Sequence, residues 1–248
     1  MLLTDGTAVS RRGLVTSPHR QASETGRRIL GLGGNAIEAA VAMGAVLAVT
    51  YPHFCGLGGD AVWMLADREA RADCLLAIGQ AAAELPALSG SIPARGPLSA
   101  LTSAALVEGW SQALEYSRRE WDGRLSLGEL LADAIRLAEE GFATTPSQVF
   151  WLEKRAGESG DWPGFAETFD RPMGETFRQP ALARTLRDLE RDGLRSFYEG
   201  PFLGLFTPFT LVCGLLSVAM LLTHGAAWLT IKADHGPVRD RARTIGSV

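Results

Sequence analysis

Arg95 stands in the loop Ile92-Pro-Ala-Arg-Gly-Pro97, where a guanidinium held over the surface could meet an anionic substrate; it is the one candidate substrate-binding residue. The competing reading is a solvated loop charge. His19 and His53 each follow a proline, and no second histidine or carboxylate lies at metal-ligand spacing from either. A structural turn role is expected for both, and no metal site. Cys55, Cys74 and Cys213 are isolated and lack CxxC spacing, so neither a disulfide framework nor zinc is indicated and a reducing compartment is the simpler reading. The glycine clusters Gly31 to Gly34 and Gly56 to Gly59 raise nucleotide binding. Neither reproduces GxGxxG after a strand or a P-loop with its lysine, so packing and turn geometry explain them and no cofactor is expected. Asp60, just after the second cluster, either approaches a pocket or caps the following turn. No residue read this way is assigned a catalytic role.

These residues are punctuation around helices. Asn35 stands where an N-cap belongs, with Glu38 three residues on in the capping-box place, and the run to about Val49 is apolar nearly all round. That is the composition of a helix buried on most sides. Tyr51-Pro52 ends it, since the residue before proline is pushed out of the α region. Upstream, Ser17-Pro18-His19 predicts a helix with Pro18 at its first position, running to about Leu32. Residues 61–66 and 73–78 read as a hairpin of buried strands, and 81–101 as a long surface loop. Helices are predicted over about 103–119, from Ser126 with Glu129 to Gly141, from Thr145-Pro146 with Gln148 to about Ala156, and from Pro180 to Gly193. Residues 157–174 read as an ordered loop anchored by Trp162, Phe165 and Phe169.

Charge divides the chain. Residues 1–200 hold 20 Lys+Arg against 26 Asp+Glu, whereas residues 201–248 hold 4 against 2. No clustered basic face is present, which excludes a nucleic-acid footprint. The N-terminus lacks the apolar core of a signal peptide, so no export signal is expected. From Gly200 to Ile231 there are 32 residues without Asp, Glu, Lys or Arg, and 209–231 is apolar enough for one membrane span followed by a basic tail. The competing reading is a very hydrophobic buried helix. The basic flank favours a cytoplasmic tail, yet that orientation would require exporting the preceding 200 residues unaided; orientation stays open.

Residues 13–200 resemble the N-terminal part of the gamma-glutamyltransferase family, including its oxamate-amidohydrolase-like branch. The matching pieces are Gly13 to His19, Ala22-Ser-Glu24, Ile29 to Asn35, Ala39-Ala-Val41, Tyr51-Pro-His53, Gly56 to Asp60, Ile92 to Pro97, Gly109-Trp110, Leu137 to Phe142, Gln179 to Leu186 and Phe197 to Gly200. The resemblance implies an α+β fold, part of the four-layer αββα sandwich of N-terminal-nucleophile hydrolases, followed here by the transmembrane helix. In such enzymes a precursor cuts itself and the new N-terminal threonine attacks a γ-glutamyl or related amide. Two departures matter. Where the transferases place an arginine in an Asp-Phe-Arg-Glu-like segment, the matching run is Ala77-Ile-Gly-Gln80, which cannot clamp a substrate carboxylate. The nucleophilic threonine and oxyanion donors lie C-terminal to where the resemblance ends, so inactivity alone is expected.

Residues from about 205 to 245 are similar instead to one helix of cytochrome bd ubiquinol oxidase subunit II, through Phe206 to Met220, His224 to Leu229 and Lys232. That implies two domains, 1–200 and 201–248, joined between Gly200 and Leu205 by gene fusion, rearrangement or assembly error. Thr223-His224 is similar to a self-cleavage threonine, but helical hydrogen bonding would hold that peptide. The expected partners are membrane lipid through 209–231 and a small amide substrate if a small-subunit half complements the chain. Alternatives are an oxidase membrane subunit, which would bring oxidase subunits as partners, and a tail-anchored non-catalytic binding module.

Overall fold

A computed structural model describes residues 9–11, 13–81, 90–92, 96, 99, 102–159, 165–169 and 172–199. The chain divides into two compact units, Met1–Phe197 and Tyr198–Val248, and the elements below belong to the first, apart from a four-residue helix that spans the division.

α2 (Ala36–Thr50) is the centre of the first unit. It starts as the sequence predicts: Asn35 Oδ1 accepts from the amides of Ile37 and Glu38 at 3.0 and 3.1 Å, and Glu38 Oε2 accepts from the Asn35 amide at 2.8 Å. Satisfying these orphan donors at both ends of the first turn fixes where the helix begins. Ile37, Val41, Ala42, Ala45, Val46 and Val49 are all within 1% of complete burial, so α2 is enclosed on nearly every side. Burying side chains of the Val and Ile class stabilises by roughly 1.5–3 kcal/mol each, enough to make an all-apolar helix obligatory at this position.

α1 (Arg20–Gly31) and α4 (Leu127–Glu140) flank α2, and α7 (Pro180–Asp192) packs on α4. α4 carries the second expected capping box, Ser126 with Glu129, and stops at Gly141. α1 begins later than predicted. His19 is extended and caps the helix, its Nδ1 accepting from the Gln21 amide at 3.3 Å, while Ser17 Oγ donates to the His19 carbonyl; Pro18 is therefore outside the helix. Thr25 and Arg28 of α1 both donate to Asp133 of α4, at 2.9 and 2.8 Å.

α3 (Leu106–Glu120) also starts late, because residues 103–105 are drawn into pairing beside the sheet. Its Trp110 and Leu114 reach the same core as Leu130, Leu137, Phe177 and Leu186. α5 (Pro146–Ser159) runs three residues further than expected, and α6 (Phe165–Phe169) forms a short helix inside the stretch predicted as loop. The four-residue helix is α8 (Ser196–Glu199).

The hairpin pairs β1 (Ala61–Ala66) with β2 (Ala72–Ala77), antiparallel, from Ala61 opposite Ala77 to Ala66 opposite Ala72. Asp67 closes its turn by accepting from the amides of Glu69 and Arg71. The expectation that these strands are buried is corrected. Trp63 and Leu65 face α3 and the core side, but Val62, Met64 and Leu76 on the other face are 59%, 82% and 65% exposed. Period-two geometry gives each strand two faces, and only one is covered. α3 lies against the covered face at Gly109, where an added Cβ would come within 2.6 Å of the Ala77 Cβ. A second two-stranded sheet pairs β3 (Phe142–Ala143) with β4 (Thr176–Phe177).

The result is mixed helix and sheet, as expected. Among the described residues no helix is long and apolar enough to cross a membrane. The predicted span 209–231, the junction at 200–205, Trp162, Cys213, Thr223 and His224 all lie outside the described residues.

Candidate functional site

The polar corner where β1 begins, β2 ends and α3 begins brings together three of the features the sequence singled out: Asp60, Gly79 and the end of the Gly56–Gly59 cluster. Asp60 Oδ1 accepts from the Gly79 amide at 2.8 Å, a contact across 19 residues that ties the start of β1 to the exit of β2; it is not a cap on a turn following Asp60, where β1 begins instead. The Ser103 amide donates to the Gln80 carbonyl at 3.0 Å, and the Gln80 amide to Ser103 Oγ at 3.2 Å. The Gly59 carbonyl accepts from the amides of Ala105 and Leu106, at 3.1 and 2.8 Å. These bonds tie Gly59 to the start of α3, and the Gly59 amide donates to the Gly56 carbonyl at 3.1 Å, which is the expected turn role; the expected close packing is not seen at Gly56 or Gly58, where an added Cβ would meet nothing within 4 Å.

The long loop of 81–101 opens and closes at this corner, since Ala81 bridges Thr102. Within it the Ser99 amide and hydroxyl both donate to the Gly96 carbonyl, at 2.9 and 2.7 Å. Arg95 itself lies outside the described residues, but both ends of its loop are anchored beside Asp60 and Gly79.

Gly79 is confined as well as bare. A Cβ there would be driven into the backbone carbonyl of Ser103, so no side chain fits without moving the start of α3. No Lys or Arg occurs in the sequence between Arg71 and Arg95. A carboxylate arriving at this corner from the β2 side therefore meets no cation supplied by the strand.

The histidines take structural positions. His19 caps α1 and meets the Phe142 ring edge-on at 6.0 Å; burial lowers its pKa against the opposing charge of Glu24. His53 Nε2 lies 3.1 Å from Ser147 Oγ, a contact across 94 residues that local spacing could not reveal. Burial lowers the His53 pKa, and the charges of Arg155 and His19 lower it further. In a Ser–His–Asp triad a carboxylate on Nδ1 orients the imidazole, and separate backbone donors stabilise the oxyanion that forms on the substrate. His53 Nδ1 is buried with no hydrogen-bond partner among the described residues, so no carboxylate orients this imidazole as one does in a Ser–His–Asp triad. Cys55 and Cys74 are free thiols, and burial raises the Cys55 pKa, away from the reactive thiolate. No cluster of three His, Cys, Asp or Glu side chains suited to a metal occurs among the described residues.

Against this geometry, the gamma-glutamyltranspeptidase family model matches residues 22–204. A second family model, cytochrome bd terminal oxidase subunit II, matches residues 179–248, so the two likenesses overlap over 179–204 and do not meet at a clean boundary. The chain is 44% identical to the oxamate amidohydrolase proenzyme of Klebsiella pneumoniae over 227 residues, 88% of this chain and 42% of that one. It is 37% identical to a glutathione hydrolase-like proenzyme of Bacillus subtilis, covering 77% of this chain and 38% of that one. The chain thus spans about two-fifths of the length of these relatives. Among solved structures, the Helicobacter pylori gamma-glutamyltranspeptidase superposes with a TM-score of 0.66 at 26% identity, over 80% of this chain and 60% of that one. That of Pseudomonas nitroreducens gives 0.65 at 27% identity, over 79% and 60%. By the span of its sequence match and by the fold it shares with these enzymes, the chain belongs to the gamma-glutamyltranspeptidase family.

Proposed function

We propose that residues 13–200 supply the N-terminal part of an amide hydrolase or acyltransferase of the N-terminal-nucleophile type, and that this chain is inactive without a part carrying the nucleophile. The observation that carries the reading is the 44% identity to an oxamate amidohydrolase proenzyme. The absence of any nucleophile, base and oxyanion constellation among the described residues supports inactivity alone. The substrate is a small amide whose negative charge is met by Arg95, not by a cation on β2. Purified alone, the chain turns over neither oxamate nor a γ-glutamyl anilide; mixed with the C-terminal part of the Klebsiella enzyme, it acquires oxamate hydrolysis. Turnover by the chain alone overturns the proposal, as does a complemented preparation that stays inert.

The oxidase-subunit likeness at 179–248 favours a second reading for the C-terminal unit. Residues 209–231 form one membrane span, and membrane lipid is its partner. Carbonate-washed membranes retain the chain; complete release into the wash removes this reading. Co-purification with oxidase subunits would instead favour an oxidase role.

A further inference from the structure

A cavity of about 280 Å³ lies in the groove between α1 and α4, away from the Asp60 corner; Glu24, Arg27 and Arg28 line it from α1, and Asp133, Arg136 and Leu137 from α4. Helical spacing gathers these charges. Glu24 and Arg28 are four apart on α1, and Asp133 and Arg136 three apart on α4, so each pair shares one face of its helix. The two helices meet at Asp133. Thr25 Oγ1 and Arg28 Nε both donate to its Oδ2, at 2.9 and 2.8 Å, and Arg136 Nη2 lies 3.6 Å from its Oδ1.

Within this lining three guanidiniums stand against two carboxylates, one of which is already held from outside: Glu24 pairs with Arg20 at 2.8 Å. Arg28 uses Nε on Asp133 and Nη2 on the Glu129 carbonyl at 3.0 Å, which fixes the plane of its head group and leaves Nη1 without a partner among the described residues. Arg136 approaches Asp133 and Glu140 only to 3.6 Å each, too far for good hydrogen bonds, and its side chain is 52% exposed. Arg27 is exposed, with no ion pair or hydrogen bond among the described residues. Open guanidinium donors thus converge on one groove, in a stretch of chain whose residues 1–200 are net acidic.

We propose that this groove binds a tetrahedral oxyanion, inorganic phosphate or the phosphate group of a monoester. A planar carboxylate matches one guanidinium edge at a time, whereas a tetrahedral dianion offers separate oxygens to Arg28 Nη1, Arg136 and Arg27. Asp133 repels any anion, but with three guanidiniums against it the net attraction grows with the charge on the ligand, which favours a dianion over a monoanion. The site does not rest on the amide-hydrolase reading given above.

The test is phosphorus-31 NMR titration of inorganic phosphate and of phenyl phosphate with the full 248-residue chain, with acetate as competitor at matched ionic strength. At about pH 8 a monoester is fully dianionic, its second pKa being near 6. Inorganic phosphate has about five non-hydrogen atoms and is expected to bind with a Kd on the order of 1 mM. Acetate is expected to displace it only at about tenfold higher concentration. Tighter binding of phenyl phosphate assigns the groove to a monoester, and tighter binding of inorganic phosphate assigns it to the free ion. Arg27→Gln and Arg136→Gln each weaken binding about threefold to tenfold, and the double variant abolishes it. Both substitutions fall on exposed side chains and leave the bonds of Thr25 and Arg28 to Asp133 in place. The competition with acetate needs no variant, so a folding defect in one of them does not decide the matter. Absence of saturable phosphate binding up to about ten times the expected Kd overturns the proposal. So does acetate competing as well as phosphate, or a folded double variant that binds phosphate like the parent.

Discussion

Removing the Glu38 carboxylate tests how the interior polar network holds the helices in register. Glu38 is 2% exposed, and its carboxylate is held by backbone amides. Its Oε2 accepts from the Asn35 amide at 2.8 Å, and its Oε1 accepts from the amides of Arg124 and Leu125, both at 2.7 Å. One side chain thus ties the start of α2 to the loop between α3 and α4. Hydrogen bonds to a charged group contribute roughly 1.5–3 kcal/mol each, and three are lost in Glu38→Ala. Relief of carboxylate burial and the better helix propensity of alanine offset part of that. A net loss of about 3–5 kcal/mol is expected. Glu38→Gln keeps one acceptor oxygen for Arg124 and Leu125 and loses only the Asn35 bond, so about 2 kcal/mol is expected from it. For a chain of this size the alanine variant should lower Tm by on the order of 6–15 °C. Urea unfolding followed by far-UV circular dichroism measures both. An alanine variant within about 1 kcal/mol of the parent refutes the reasoning, as does a glutamine variant less stable than the alanine one.

Gly79→Val forces a side chain into the Ser103 carbonyl. It should destabilise by about 2–4 kcal/mol, and proteolysis between residues 80 and 105 should accelerate; unchanged cleavage there contradicts the tight corner. Burial lowers the pKa values of both His19 and His53, so the unfolded chain binds more protons than the folded one just below the ordinary histidine value near 6.5. Stability is therefore full above that value and falls as pH drops through it, and a His19→Gln, His53→Gln double variant should flatten the urea-midpoint profile between about pH 7 and 5.5. Arg95→Ala in the complemented enzyme should raise KM for oxamate about tenfold or more while leaving that for a neutral amide within about twofold. Equal changes for both substrates reject Arg95 as the anion contact.

Local chemistry was legible and distant chemistry was not. The boxes at Asn35–Glu38 and Ser126–Glu129 depend on residues three apart, and both form as the spacing predicts. The all-apolar run of α2 announced a buried helix, and it is one. The same local rule held only in part at Gln148, whose amide donates to Thr145 Oγ1 while its side chain makes no hydrogen bond. The start of α3 shifted because residues 103–105 pair with Gly59 and Gln80, contacts that no window of neighbouring residues contains. Likewise the Ser147 contact of His53 spans 94 residues. At the hairpin, short apolar runs could not show which face was covered, since β1 carries apolar side chains on both. Arg95, the one residue singled out for substrate, can be placed only by the ends of its loop.

The uncovered face of that hairpin has a consequence for the protein at high concentration, where self-association is the expected outcome. Val62, Met64 and Leu76 form an apolar strip on a sheet of two strands whose outer edges pair with no other strand among the described residues. An open edge beside an apolar strip is a template for further strands, and another molecule of the same protein is the template's most abundant supply. Light scattering should therefore rise with protein concentration and during refolding, when such edges are most exposed. Lysine at position 64, where the side chain already points to water, should suppress that growth while leaving the helical core intact.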